Sequence, residues 1–362
     1  MSNFGVRASL ALAFAFLSSA VSAAPPDATA WEVFATMTAP VPGLKAVAFE
    51  TWASDSDIYS GTPHWPAPGS KILTPSLAAI AEIMALHGAA LGPGDCQPKD
   101  GKAGNFPPGA CIGEQVQHNR PVFQYIVDHN LASTAGLVAA YSARQPIDFP
   151  SDSIVVKADW VAIADLLHWL PRSYKSAAQV RRAYYTNTAT MNGRAGEYAL
   201  VGMSVQSKAL PQWLWMTFEH RSNPGRCDII GCRDAFGAAV ASVPPRLVPN
   251  TDYGPCAKTP ALKALFARRG LGPIWANYCL KGTQVAFAAA GQPTILANSV
   301  IERMNKGVAV PDTSCITCHA YAAFDAHGTP NYAILPQHPV GDPTLPQDFM
   351  AHDYLWSILA AH

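Results

Sequence analysis

The chain has 362 residues, and its 25 basic and 25 acidic residues cancel to a formal charge of zero. That balance excludes a basic field for nucleic acid and an acidic solvating tail. The length is enough for one large domain or two moderate ones with a substantial core.

In chain order, Met1 to Val6 is polar, Arg7 carries the first fixed charge, and Ala8 to Leu17 is an apolar run of about ten residues. Such a run is too short to span a bilayer as a helix. Ser18 to Ala23 ends in Val-Ser-Ala, which fits a small-x-small cleavage site, so residues 1–23 read as a signal peptide cut before Ala24. A retained amphipathic anchor is the alternative. No later segment is long and apolar enough to cross a membrane, and the expected location is the periplasm, as a soluble protein.

From Ala24 to about Ser70 the chain is aromatic and proline-rich with little periodicity, and it is expected to wrap over a core without forming one. Thr74-Pro75-Ser76, followed by Leu77, Ile80, Ile83, Met84 and His87, predicts a capped amphipathic helix that Gly92-Pro93-Gly94 stops. Two further helices are expected over Val122 to Asn130 and Ser133 to Arg144. The period then changes. Ser153 to Val161, Val201 to Val205 and Gln212 to His220 read as strands of an antiparallel sheet. In the last of these, Leu214, Met216, Phe218 and His220 fall on one side and Trp213, Trp215 and Thr217 on the other. Helices are predicted again over Asp234 to Val243, Thr259 to Arg269, Thr294 to Lys306 and Asp353 to His362, with an edge strand over Cys279 to Ala288. The fold class is therefore α+β. A mixed body with an antiparallel sheet and flanking helices spans 24–291, and a small α-helical region spans 292–362.

Eight cysteines in an exported chain must be accounted for. Cys96, Cys111, Cys227, Cys232, Cys256 and Cys279 make an even set, and pairing of sequence neighbours predicts Cys96 with Cys111, Cys227 with Cys232 and Cys256 with Cys279. A four-thiolate zinc site on the last four is the rival, although the intervals lack short paired spacings.

The remaining two stand in Cys-Ile-Thr-Cys-His, residues 315–319. Two thiols three positions apart on one helical turn can each add to one vinyl group of a haem, while the adjacent imidazole reaches the iron. Composition alone leads to about 0.005 chance matches in a chain of this make-up. A thioredoxin-like couple would need a strand-then-helix context with a preceding aromatic, and half a zinc site would need a second ligand pair; neither is present.

This segment resembles the attachment site of c-type cytochromes. With the flanking Leu-Ala-Asn-Ser-Val-Ile-Glu and Asp-Tyr-Leu-Trp-Ser, and the block Trp215-Met216-Thr217-Phe218-Glu219-His220 with Asn223-Pro224, the chain also resembles large single-haem proteins of the proteobacterial cytochrome c family. The resemblance implies one covalent haem c on Cys315 and Cys318, with His319 as the proximal iron ligand. In small cytochromes c a methionine follows the attachment site and precedes a C-terminal helix. Met350 stands 31 residues after His319 and fits that order. His220 is the main competitor, ahead of His327, His338, His352 and Met304, and an open sixth position is the remaining possibility. The expected function is electron transfer with a redox protein or a small electron donor or acceptor. An open position would instead make the chain a haem-dependent oxidoreductase of peroxidase type or a gas sensor.

Overall fold

A computed structural model describes residues 25–67, 69, 112–191, 194–300, 302 and 310–362. The expected signal peptide over residues 1–23, the helix expected over Thr74 to His87, the expected pair Cys96 and Cys111, and Met304 lie outside the described residues.

The segment expected to wrap the core instead supplies its centre. Pro26–Met37 is an α-helix, opened by its proline, and Trp31, Phe34, Ala30 and Met37 are fully buried. Trp31 packs edge-on against Phe34 and Phe218 at 5.1 Å each and against Phe266 at 5.7 Å. The indole nitrogen of Trp31 donates to Asp234 at 2.9 Å, and Asp27 accepts from the backbone of Ala235 at 2.7 Å and from the Thr283 hydroxyl at 2.6 Å. Glu32 and Thr36 mark the solvent side of this helix, with Glu32 paired to Arg269 at 3.2 Å, while Trp31, Phe34 and Met37 face the core.

That helix covers one face of a seven-stranded antiparallel sheet. Its strands are β1 (Ala53–Ser54), β2 (Ile112–His118), β3 (Ile154–Ala162), β4 (Thr186–Met191), β5 (Arg194–Ser207), β6 (Leu214–His220) and β7 (Tyr278–Gln284). They run in the order β1-β2-β3-β5-β6-β7, with β4 paired to β5. The antiparallel sheet, the three expected strands and the edge position of β7 agree with the sequence reading; β2 and β4 are additional. Alternation sends Leu214, Met216 and Phe218 of β6 into the core around Trp31. Every residue of β6 is buried, so the sheet is covered on both faces.

The second face carries a core built from two distant stretches. Val122, Phe123, Ile126 and Leu137 come from helices Arg120–Asp128 and Thr134–Ala143, close to the expected spans; Leu296, Ile316, Phe324, Leu355 and Ile358 come from the C-terminal region. Asn119 and Ser133 cap the two helices through their side chains. Pro260–Arg268 is likewise a helix, capped by Thr259, as its Thr-Pro opening predicts.

Three expected helices differ. Residues 234–243 form turns and a short strand pairing, because the Asp234 carboxylate accepts from the backbone of Phe236 and Gly237 and closes a turn. Gly237 sits so close to Trp31 that an added Cβ would lie 2.1 Å from its indole nitrogen. Of the helix expected over Thr294 to Lys306, residues 294–300 are extended and turned, with the Thr294 side chain bonded to the backbone of Phe287, Glu302 is helical, and 301 and 303–306 lie outside the described residues. The terminal helix shrinks to a 3-10 turn, Trp356–Ala360, because Asp353 and Tyr354 adopt left-handed φ values of 45° and 71°. Among the described residues of the C-terminal region, Cys315–Ala320 is a six-residue α-helix set between turns and short strands.

Cys227 pairs with Cys232 and Cys256 with Cys279, as sequence neighbours predict. Four sulfurs consumed in two disulfides form no thiolate zinc site. Such bonds fit an oxidising compartment. Among the described residues no helix is long and apolar enough to cross a membrane.

Candidate functional site

The Cys315–Ala320 helix is held from below by one side chain of the sheet. Gln284 of β7 accepts from the backbone of Ile316 at 2.9 Å and donates to the Ser314 hydroxyl at 2.8 Å and to Thr294 at 2.7 Å. Ser314 caps the helix, Ile316 is fully buried, and the Thr317 hydroxyl donates to the Gly341 carbonyl at 2.7 Å. With Ile316 and Thr317 turned inward, Cys315, Cys318 and His319 share the remaining face at spacings of three and four.

Both thiols are free, while the other described cysteines are all disulfide-bonded. Cys315 donates to the Leu296 carbonyl at 3.1 Å, and the Trp356 indole donates to the Cys318 carbonyl at 3.1 Å. Burial pushes the Cys318 thiol up to about 11 and raises Cys315 well above its ordinary value. A redox couple of thioredoxin type needs a lowered thiol, so this environment does not make one.

His319 is oriented by a backbone atom. Its Nδ1–H donates to the Tyr354 carbonyl at 2.9 Å, which leaves the lone pair on Nε2. Burial lowers its pKa to about 4, so the imidazole is neutral at neutral pH. A neutral imidazole with one nitrogen tied to a carbonyl is the form that ligates a metal. The Trp215 ring lies 4.6 Å from it, tilted by 48°. Two free thiols and a prepared Nε2 on one helix face fit a covalently attached haem. A haem iron takes one or two protein ligands, and among the described residues no group of three or more His, Cys, Asp or Glu side chains is placed to hold a metal.

Of the candidates for the second axial position, His220 is separated from His319 by the sheet. Alternation along β6 turns Trp215, Thr217 and Glu219 toward the motif and His220 to the opposite face. Its Nε2–H donates to the Ala183 carbonyl at 3.0 Å, its Nδ1 accepts from the Ser222 backbone at 3.2 Å, and its ring stacks on Tyr184 at 3.5 Å. Both nitrogens are used, and His220 is a satisfied core residue. Met350 pairs with Phe324 between the short strands β8 (Ala323–Phe324) and β9 (Met350–Ala351), and its side chain lines a cleft with Tyr141, Arg144, Ile147 and Phe349. None of Cys315, Cys318 or His319 lines that cleft. His338 is exposed beside Asp312. His352 is fully buried, with Nδ1 bonded to the Leu355 carbonyl at 3.1 Å and Nε2 lacking a partner, the same arrangement as His319.

The face of the sheet toward the motif is polar yet buried. Register aligns Val116, Lys157, Ser204 and Thr217 in one row and Glu114, Asp159, Gly202 and Glu219 in the next. Lys157 pairs with Glu114 at 2.7 Å, and Glu219 accepts from the Ser299 backbone at 2.8 Å and from Lys281 at 3.4 Å. Both oxygens of Asp159 and one of Glu302 are buried without a hydrogen-bond partner. Burial, with Glu114 opposite, raises Asp159 well above the usual carboxylate range; burial pushes Glu302 to about 7. Burial pulls Lys157 down, but the Glu114 carboxylate 2.7 Å away outweighs it and holds the ammonium charged. The sequence reading missed this cluster. Its signal was there: Lys157 and Asp159 interrupt an otherwise apolar strand at a spacing of two, which puts both on one face. Tyr354 was also missed, and a backbone carbonyl leaves no signature.

No family model, no curated protein and no solved structure matches the chain.

Proposed function

We propose that the protein is an exported, periplasmic single-haem c-type cytochrome that passes electrons between a redox partner protein and a second donor or acceptor. The observation that carries this reading is the Cys315–Ala320 helix, where two free thiols and the free Nε2 of His319 face the same way. Cys315 and Cys318 would hold the porphyrin through thioether bonds and His319 would hold the iron. The bound iron supplies the one-electron ferric–ferrous change. Trp215 lies 4.6 Å from the His319 ring and 6.0 Å from Tyr354, and Tyr332 contacts Trp356 at 5.1 Å, aromatic surface against which a porphyrin would pack.

One observation favours a second reading, a haem-dependent oxidoreductase or sensor with an open axial position. The perturbed carboxylates Asp159 and Glu302 and the cation Lys157 lie beside the attachment cysteines, whose acidity Glu302 and Lys157 influence. Proton-active groups beside a redox centre are what catalysis uses.

The test is expression in a host able to attach haem, followed by a pyridine haemochrome assay and a ferric spectrum. One haem per chain is expected, and its loss in Cys315→Ala with Cys318→Ala. A colourless wild-type protein removes the reading. Low-spin ferric iron with an iron–sulfur charge-transfer band that disappears in Met350→Ala supports the carrier; high-spin iron that shifts on adding cyanide supports the enzyme or sensor. Loss of a low-spin spectrum in His352→Ala assigns the second ligand to that residue.

A further inference from the structure

We infer that Lys208 and Asp353 are positioning residues that clamp the Asp353–Tyr354 turn so that its carbonyl stays bonded to His319, and that they thereby set the reduction potential of the iron. This rests on the haem reading above.

Asp353 and Tyr354 are consecutive non-glycine residues in the left-handed region, at φ 45° and 71°. Each such residue is strained and persists only where the surroundings over-determine it. Here they do. The Asp353 carboxylate receives Lys208 Nζ at 2.7 and 2.8 Å, the Trp213 indole at 3.1 Å and the Phe149 backbone N–H at 2.8 Å. Lys208 is itself buried and is fixed by Asp148 at 2.8 Å and the Pro211 carbonyl at 3.1 Å. On the other flank the His352 backbone donates to Ala322 at 2.7 Å, and the Leu355 N–H donates to the His352 carbonyl at 3.1 Å. The product of this arrangement is one carbonyl, that of Tyr354, 2.9 Å from His319 Nδ1.

That bond matters electronically. A carbonyl accepting the Nδ1 proton makes the imidazole a stronger donor through Nε2, which favours ferric over ferrous iron and lowers the potential. If the clamp is released, the left-handed turn relaxes, the carbonyl leaves and the potential rises. The sign separates this from simple electrostatics, because removal of a nearby positive charge by itself favours ferric iron and lowers the potential.

The experiment is redox titration of the holoprotein in wild type, Lys208→Met and Lys208→Arg, with haem content measured by pyridine haemochrome. Lys208→Met is expected to shift the ferrous-to-ferric ratio at fixed ambient potential about tenfold toward ferrous, 59 mV positive for one electron. Lys208→Arg restores the wild-type value. Tyr354→Gly, which relieves one of the two left-handed positions, restores part of the shift in the Lys208→Met background. A potential that stays put or falls, with haem stoichiometric, overturns the inference and leaves the ion pair a purely structural feature. If Lys208→Met does not fold, Trp213→Phe removes one carboxylate donor without changing charge. A smaller rise then supports the clamp and an unchanged potential refutes it. Absence of haem in the wild type refutes the haem reading instead, so the two failures are distinguishable.

Discussion

Acid should unfold this protein partly through His220, and the effect can be isolated by one substitution. Burial lowers the His220 pKa to about 3, against an ordinary value of 6.5. The unfolded chain therefore takes up a proton below pH 6.5 that the folded chain refuses until about pH 3, and stability falls as the pH drops through that window. pH 5 lies about 1.5 pH units below the unfolded value, which corresponds to about 2 kcal/mol of stability lost relative to pH 8. His220→Gln keeps the geometry, since an amide can donate to the Ala183 carbonyl and accept from the Ser222 backbone, but it cannot titrate. The variant loses the stacking on Tyr184 and is expected to be less stable than wild type at pH 8. Its deficit should shrink by about 2 kcal/mol at pH 5, read from urea unfolding at the two pH values. A deficit equal at both pH values refutes the claim that this histidine is neutral and saturated within the fold. The same variant should leave the haem spectrum unchanged, because His220 lies across the sheet from His319.

Asp159→Asn is expected to be stabilising near neutral pH by on the order of 1–3 kcal/mol, since it removes a buried carboxylate that has no hydrogen-bond partner. The raised pKa of Asp159 means that the wild type is penalised increasingly as pH climbs above the ordinary carboxylate range. The advantage of the variant in urea unfolding should therefore grow from pH 4 to pH 7, and a constant difference contradicts it. Trp31→Ala should lose about 3–5 kcal/mol, because it empties the centre of the core and removes one of the donors to the Asp234 carboxylate, with thermal unfolding as the measurement. A loss below about 1 kcal/mol would return Pro26–Met37 to the role of a surface wrapping.

Local features of the chain were legible wherever a residue's chemistry acts within a few positions of itself. The Cys-Ile-Thr-Cys-His turn, the pairing of neighbouring cysteines, the Thr-Pro opening of the helix at Pro260 and the alternation along Leu214 to His220 all depend on spacing, and spacing is what a sequence contains. Tertiary structure decided the rest. Pro26–Met37 mixes small and polar residues with its few large apolar ones, so its periodicity is weak, and only packing against Phe218 and Phe266 puts Trp31 and Phe34 at the centre of the core. His220 ends an apolar strand face, and only the sheet, by interposing itself, separates it from His319. The Tyr354 carbonyl is aimed at His319 by Lys208 and Asp353, which lie 145 positions apart, and a backbone atom looks the same at every residue. The sequence alone determined that two thiols and an imidazole stand at spacings of three and four, the chemistry on which the haem proposal rests. The packing of distant segments decided which lone pair is free, which charges are buried beside it and which histidine is already satisfied, because burial and hydrogen-bond saturation are properties of surroundings and not of residue type.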